Sequence, residues 1–285
     1  MKFALPETLA DAVALLAEDG ARCLAGGQSL VAMMNARLVS PSTLVSLRAI
    51  PGLDRIEIRA DGSLFIGAMA QHADVARLAP RSPATALFAQ AAGLIGHPAI
   101  RNQGTIGGSI AHADPSADYP GVVVCAGATV HIAGRSGNRT VSAADFFRGY
   151  YETALQPGEI VTAVEAPAGP RGGSAHYEKY SLVDGDFAVV SAAVMLAMTN
   201  GRCTAIQLAV GGGAAVPVRV LAAEAALVGT ALAEADLAAA GRKLVEAADP
   251  IDDFRGSAAY RRKLIPRIAA RAVAAAKQKL LNGHA

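Results

Sequence analysis

"TIGGSIAHADPSADYP", Thr105 to Pro120, holds two adjacent glycines, one threonine, two serines, one histidine and two aspartates, and no run of large apolar side chains. "AGGQSL", Ala25 to Leu30, has the same texture eighty residues earlier. Paired glycines bring the backbone close to a ligand, and successive N–H groups there can form a nest for an anion. In the first stretch Ser29 opens an expected helix, so its hydroxyl and the helix N-terminus add donors aimed at one point. A diphosphate is the natural guest. One such pair alone reads rather as a turn. Two pairs, each flanked by hydroxyl residues and short strands, favour binding.

Working outward, "PETLADAVALLAEDG" has helical spacing, with Thr8 as cap, Asp11 in the capping-box position and Gly20 as the stop. "ARCLA" (21–25), the helix "SLVAMMNARL" and the strand "STLVSL" make a small α/β unit around the first glycine pair. "RIEIRADGSLFIGA" alternates apolar and polar residues about Asp61-Gly62, a hairpin signal. "PATALFAQAAGLIG" reads as a buried helix, "ATVHIAGRSGNRTVSA" as a hairpin around Ser136-Gly137-Asn138, and "EIVTAVEAP" as a strand. "PAGPRGG" is the best linker. Beyond it come three strands, the last two joined at Asn200-Gly201, and an almost wholly helical remainder after Val220. The pattern is α+β, with domains expected at 1–170 and 171–285.

Composition narrows the function. The 285 residues are 52% hydrophobic and 18% charged, with a net charge of +2. No basic stripe with interleaved aromatics appears, which argues against a nucleic-acid partner. Arg261, Arg262, Lys263, Arg267 and Arg271 fall at helical spacing and read as a solvated or partner-facing surface. "MKFALPETL" is not a signal peptide, and "FAVVSAAVMLAM" is too short to cross a bilayer. Cys23, Cys125 and Cys203 fit no disulfide, zinc or iron–sulfur pattern, so a cytoplasmic chain with reduced thiols is expected. The six histidines, His284 among them, never take metal-ligand spacing. "GTIGGS" and "GGGAAV" both miss the dinucleotide fingerprint, and no Walker sequence or nucleophile elbow is present. His112 and Asp114 have no nucleophile beside them in sequence, which favours a structural or ligand-lining role over a catalytic dyad. The residues alone lead to a phosphorylated cofactor bound through two glycine loops.

"AGGQSL", "IGHPAIRNQGTIGGSIAHADPSADYP", "EKYSLVDGDFAVVSAAV" and "AVGGGAAVPVRV" together resemble the medium, FAD-binding subunit of the molybdenum hydroxylases, the group of carbon monoxide dehydrogenase, xanthine dehydrogenase and relatives acting on N-heterocycles. The likeness runs from Leu5 into the C-terminal helices. It implies a two-lobed FAD-binding domain of the vanillyl-alcohol-oxidase (PCMH) type, then a smaller domain of a three-stranded sheet plus helices. Carried over by motif, Ala25, Gly26, Gly27, Gln28, Ser29 and Leu30 bind the FAD diphosphate. Thr105, Ile106, Gly107, Gly108 and Ser109 form the second loop on it. Asp118 contacts the cofactor further along, Val161 and Lys179 lie beside the flavin ring, and Phe187 covers the ring near its reactive nitrogen. Lys179, matched through "EKY" alone, also reads as a surface lysine.

Several relatives carry histidine where this chain has Gln28, which cannot form a histidyl–flavin bond, so non-covalent FAD is expected. A family branch with a cysteine-rich inserted loop is excluded by the cysteine count. The resemblance also implies partners: a large subunit with a molybdopterin cofactor and a small iron–sulfur subunit with two 2Fe-2S clusters, assembled as a dimer of heterotrimers. The chain is then an oxidoreductase component that relays electrons to an external acceptor, with no catalytic acid or base and no metal of its own. The rivals are a stand-alone FAD-dependent oxidoreductase of the same superfamily, for whose substrate pocket the chain has little insertion, and a non-enzymatic nucleotide-binding scaffold.

Overall fold

A computed structural model of the chain describes residues 1–283, so His284 lies outside the described residues. The first lobe is a small parallel sheet in the order β1-β3-β2, from β1 (Lys2–Ala4), β2 (Ala21–Leu24) and β3 (Thr43–Ser46). Helix α1 (Leu9–Leu16) connects the first two strands and α2 (Leu30–Asn35) the last two. Thr8 caps α1 as expected, accepting from the Asp11 N–H, while the Asp11 carboxylate binds the Thr8 hydroxyl rather than its backbone. The helix stops at Leu16, and Gly20, at φ +72°, turns the chain into β2.

The second lobe is an antiparallel sheet in the order β4-β5-β10-β6-β7. Its strands are β4 (Ile56–Ile58), β5 (Leu64–Gly67), β6 (Thr129–Gly134), β7 (Gly137–Ser142) and β10 (Ile160–Ala166), and β8 (Phe147–Gly149) and β9 (Glu152–Thr153) form a separate hairpin. The β4–β5 hairpin turns at Asp61-Gly62 as expected. The β6–β7 turn is Arg135-Ser136 instead of Ser136-Gly137-Asn138, because Gly134 and Gly137 pair and close a two-residue loop. Between β5 and β6 run α3 (His72–Val75), α4 (Pro83–Gly93), α5 (Pro98–Arg101), α6 (Ile106–His112) and α7 (Asp118–Cys125), and α8 (Ala143–Phe146) follows β7. Much of the glycine-rich stretch read as open loop is therefore helix. Thr105 caps α6, and Ile106 and Ile110, four residues apart, both point into the core.

The third sheet, β11 (Ser174–Tyr180), β12 (Val190–Thr199), β13 (Arg202–Gly211) and the short β14 (Val218–Arg219), follows the expected linker. Asn200 and Gly201, both at positive φ, make the β12–β13 turn. The nearly continuous apolar run of β12 follows from burial of both faces. Ala193 and Met195 join α4 and α7 in one core, while Ala192, Val194 and Leu196 face the second core. That second core is built with α9 (Leu221–Leu227), α10 (Glu234–Ala247) and α11 (Ala258–Leu281).

The basic stripe of α11 needs one correction. Arg261 is buried, and it donates to the carbonyls of Val189 (2.6 Å) and Gly212 (3.2 Å) and to Asp253 (2.7 Å). It is a structural bolt, whereas Arg262 is exposed and sits 3.5 Å from an exposed Asp249. Breaking a mostly buried pair leaves a carboxylate and two carbonyls short of a donor, so Arg261→Ala should cost about 3 kcal/mol. Arg262→Ala should cost less than about 0.5 kcal/mol, as exposed pairs do. Urea unfolding of the two variants measures the contrast.

Candidate cofactor site

The three sheets enclose a cavity of about 1150 Å³. That volume is above the usual ~300–1,000 Å³ of small-molecule sites and suits a dinucleotide better than a single ring. Ala25 to Leu30, Thr105, Gly107 to Ser109, Asp118, Val161, Lys179 and Phe187 all border it. Ile106 does not. Its side chain is fully buried in the core, and its N–H is spent on the carbonyl of Ala70 at 3.1 Å.

The two glycine segments do different work. In the first, the backbone N–H groups of Gly26, Gly27, Gln28 and Ser29 make no hydrogen bond within the described chain, and Ser29 leaves its hydroxyl unspent at the start of α2. These are the donors that an anion nest at this loop would use. In the second, the Gly107 N–H binds the Ala68 carbonyl at 2.9 Å, and the Gly108 N–H binds Thr105 Oγ1 at 3.2 Å. The second segment is thus a capped helix start whose free donor is the Ser109 hydroxyl.

The glycines also differ in what they avoid. A Cβ on Gly26 would stand 1.9 Å from the carbonyl oxygen of Gln103, and one on Gly107 would stand 2.4 Å from the Cβ of Ala68. Both glycines are dictated by contact between chain segments, not by a ligand. Gly27 is dictated by its φ of +76°. Gly108 is less constrained: its added Cβ would press the capping Thr105 Oγ1 at 3.0 Å, which must shift by a few tenths of an ångström, and would meet Ala25 Cβ at 3.5 Å, beside the cavity.

At another part of the wall, Asp118 opens α7 with a carboxylate that accepts from Tyr177 Oη (2.7 Å) and Lys179 Nζ (3.1 Å). Lys179 also donates to the Leu94 carbonyl (3.1 Å), and its side chain is only 5% exposed, which rules out the surface-lysine reading. Burial pushes the Asp118 carboxyl up, opposed by the Lys179 charge and the Tyr177 hydroxyl. Val161 and Lys179 stand on different sheets, β10 and β11. Val161 sits where the β10–β6 register shifts.

Sequence reasoning missed Tyr151, Arg135 and the 155–159 loop, all on the cavity wall. Tyr151 holds a positive φ of 56°, donates to Asp114 (3.2 Å), and packs its ring 5.1 Å from His112. His112 and Asp114 therefore meet through Tyr151, as lining residues. Arg135 is the turn residue whose place depended on the hairpin register. His72 lines the cavity too, and burial, with Arg101 nearby, lowers its ring to about 4. Burial pushes the thiols of Cys23 and Cys125 up to about 12, and no group of metal ligands exists among the described residues.

Comparison with known proteins places this geometry. Residues 1–169 match the family described as the FAD binding domain in molybdopterin dehydrogenase, and residues 175–276 match the CO dehydrogenase flavoprotein C-terminal domain. The chain belongs to the FAD-binding medium-subunit family of the molybdenum hydroxylases. The carbon monoxide dehydrogenase medium chain of Afipia carboxidovorans is 40% identical over 97% of this chain and 96% of its own. The nicotine 6-hydroxylase medium subunit of Paenarthrobacter nicotinovorans is 36% identical over 96% of each. The crystal structure of Cu,Mo-CO dehydrogenase contains a chain that superposes with a TM-score of 0.94 at 37% identity, covering 98% of both. Quinoline 2-oxidoreductase from Pseudomonas putida gives 0.89 at 36%, covering 99% of this chain and 98% of that one. The flavoprotein fold expected from the motifs is the fold found. The site fits the cofactor of this family: it has unspent donors for a diphosphate and a cavity of dinucleotide size.

The glycine contrast predicts a split phenotype. Gly26→Ala and Gly107→Ala overlap backbone or packed atoms and should cost about 3 kcal/mol or more, read as loss of folded chain. Gly108→Ala should keep the unfolding free energy within about 1 kcal/mol of the parent and lose flavin on gel filtration.

Proposed function

We propose that this chain is the FAD-bearing electron relay of a cytoplasmic molybdenum hydroxylase, assembled as a dimer of heterotrimers. A large molybdopterin-binding subunit oxidises the substrate, and a small subunit with two 2Fe-2S clusters delivers electrons one at a time. FAD, when bound, bridges one- and two-electron transfer and hands the electrons to an external acceptor. What carries the reading is convergence: all the motif-matched residues except Ile106 border one cavity. The division of labour follows a boundary near residue 170, with glycine loops before it and Lys179 and Phe187 after it.

Within the cavity, the N–H groups of Gly26 to Ser29 and the hydroxyls of Ser29 and Ser109 hold the diphosphate. Ala25, Leu30, Thr105, Gly107 and Gly108 shape the channel it lies in. The Asp118–Lys179–Tyr177 cluster fixes the wall against which the remainder of the cofactor is oriented, with Val161 on a facing strand. Phe187, 40% exposed at the rim, screens the ring from water. Gln28 offers an amide to the bound cofactor and no nucleophile, so FAD is held non-covalently.

Two results are expected. Acid precipitation should release all yellow colour to the supernatant, and flavin retained in the pellet would contradict non-covalent binding. Expressed alone, the FAD-loaded chain should oxidise no N-heterocycle, aldehyde or carbon monoxide, whereas co-expression with the two partner subunits should give a complex whose flavin is bleached by substrate. Turnover by the isolated chain at the rate of the complex would overturn the relay.

A further inference from the structure

Phe187 lies in the segment between β11 and β12, where few bonds fix the chain. Its N–H donates to Asp186 Oδ1 (2.7 Å), and the next residue, Ala188, donates to the Ser116 carbonyl (3.2 Å). The ring itself is 40% exposed and belongs to none of the buried cores. Yet it borders the cavity. One group holds it from outside: the guanidinium of Arg255 lies 5.1 Å from the centre of the Phe187 ring. Phe187 and its neighbour Asp186 border the cavity, and Arg255 does not.

The environment of Arg255 is built around that contact. Its guanidinium also lies 4.3 Å from the centre of the Phe254 ring, which is itself 82% exposed, so the cation contacts two aromatic rings. It also forms long ion pairs with Asp186 (4.0 Å), the residue before Phe187, and with Asp253 (3.8 Å), and its buried Nε has no hydrogen-bond partner. The loop that carries it is tied at its base by one carboxylate. Asp253 Oδ1 accepts from the N–H groups of Arg255 (2.8 Å) and Gly256 (3.1 Å) and from Arg261 (2.7 Å). Arg261 in turn binds the Val189 carbonyl (2.6 Å), two residues beyond Phe187.

We propose that Arg255 is a positioning residue that holds Phe187 across the cavity mouth and so sets solvent access to the flavin. The proposal rests on the reading of Phe187 as the ring's cover. The loop before α11 then works as a clip: Asp253 and Arg261 fix its base, and Arg255 presses the cover shut through its ring.

Acrylamide quenching of flavin fluorescence in the FAD-loaded full chain tests this, because a neutral quencher is indifferent to the lost charge. Phe187→Ala should raise the quenching constant several-fold. Arg255→Ala should raise it nearly as far while keeping one FAD per chain, and the double variant should go no higher than Phe187→Ala alone. Arg255→Lys, which keeps a cation but not a stacked plane, should fall between. An unchanged constant in Phe187→Ala would remove the reading of the cover. A raised constant in Phe187→Ala with a parental one in Arg255→Ala, or additive effects in the double variant, would overturn the role of Arg255 alone. Should Arg255→Ala fail to fold, Phe254→Ala decides. It strips only the exposed outer ring, and it must raise quenching about twofold, a parental value counting against the clip.

Discussion

The backbone of Gly26 lies against the carbonyl of Gln103 so closely that no side chain fits between them. This contact joins the first lobe to the second, and the cavity opens along the seam. Because Gly26 touches chain, its neighbours are held with their N–H groups turned elsewhere, and those of Gly26 to Ser29 remain unspent. Gly107 repeats the device against Ala68 on the other side of the seam. The glycines thus act twice over: one pair of close contacts builds the walls, and the left-handed Gly27 turns the chain along them. Backbone amides held in place before a ligand arrives need no reorganisation to meet its charge.

A second constraint ties the third sheet to the same cavity. Lys179 on β11 and Asp118 on α7 meet at 3.1 Å with 5% of each side chain exposed. A buried pair of this kind rarely adds net stability, because desolvation offsets the attraction. Its effect here is registry: it fixes where the C-terminal sheet meets the helix that follows the second glycine segment. Tyr177, from the same face of β11, adds a third bond to the same carboxylate. The C-terminal portion is therefore part of the cavity wall, and its Arg255 loop reaches the rim at Phe187.

Much of this was legible in the sequence, for identifiable reasons. Glycine pairs, the Asn200-Gly201 turn and the alternating strands carry local signals that tertiary packing does not override. The motifs matched to the family converge on one cavity because they encode backbone conformation and close approach. What escaped was non-local. Ile106 sits inside a ligand motif, but the period of α6 sends its side chain to the core. Arg261 lies within a run of basic residues, and only the position of Asp253 and two carbonyls shows that it is buried. Tyr151 reaches the cavity from a positive-φ position that no tyrosine signals in advance. The second glycine segment looked like the first, yet its N–H groups are consumed by Ala70, Ala68 and Thr105, partners that sequence spacing does not disclose beyond Thr105 itself.

The central claim is that the first glycine loop grips the cofactor by its diphosphate. Titrating the flavin-free chain with FAD in the presence of ADP, and separately with FMN, tests it most directly. ADP shares the diphosphate and should displace FAD competitively, while FMN, which lacks it, should bind far more weakly. FMN binding as tightly as FAD, with ADP without effect, would contradict the account.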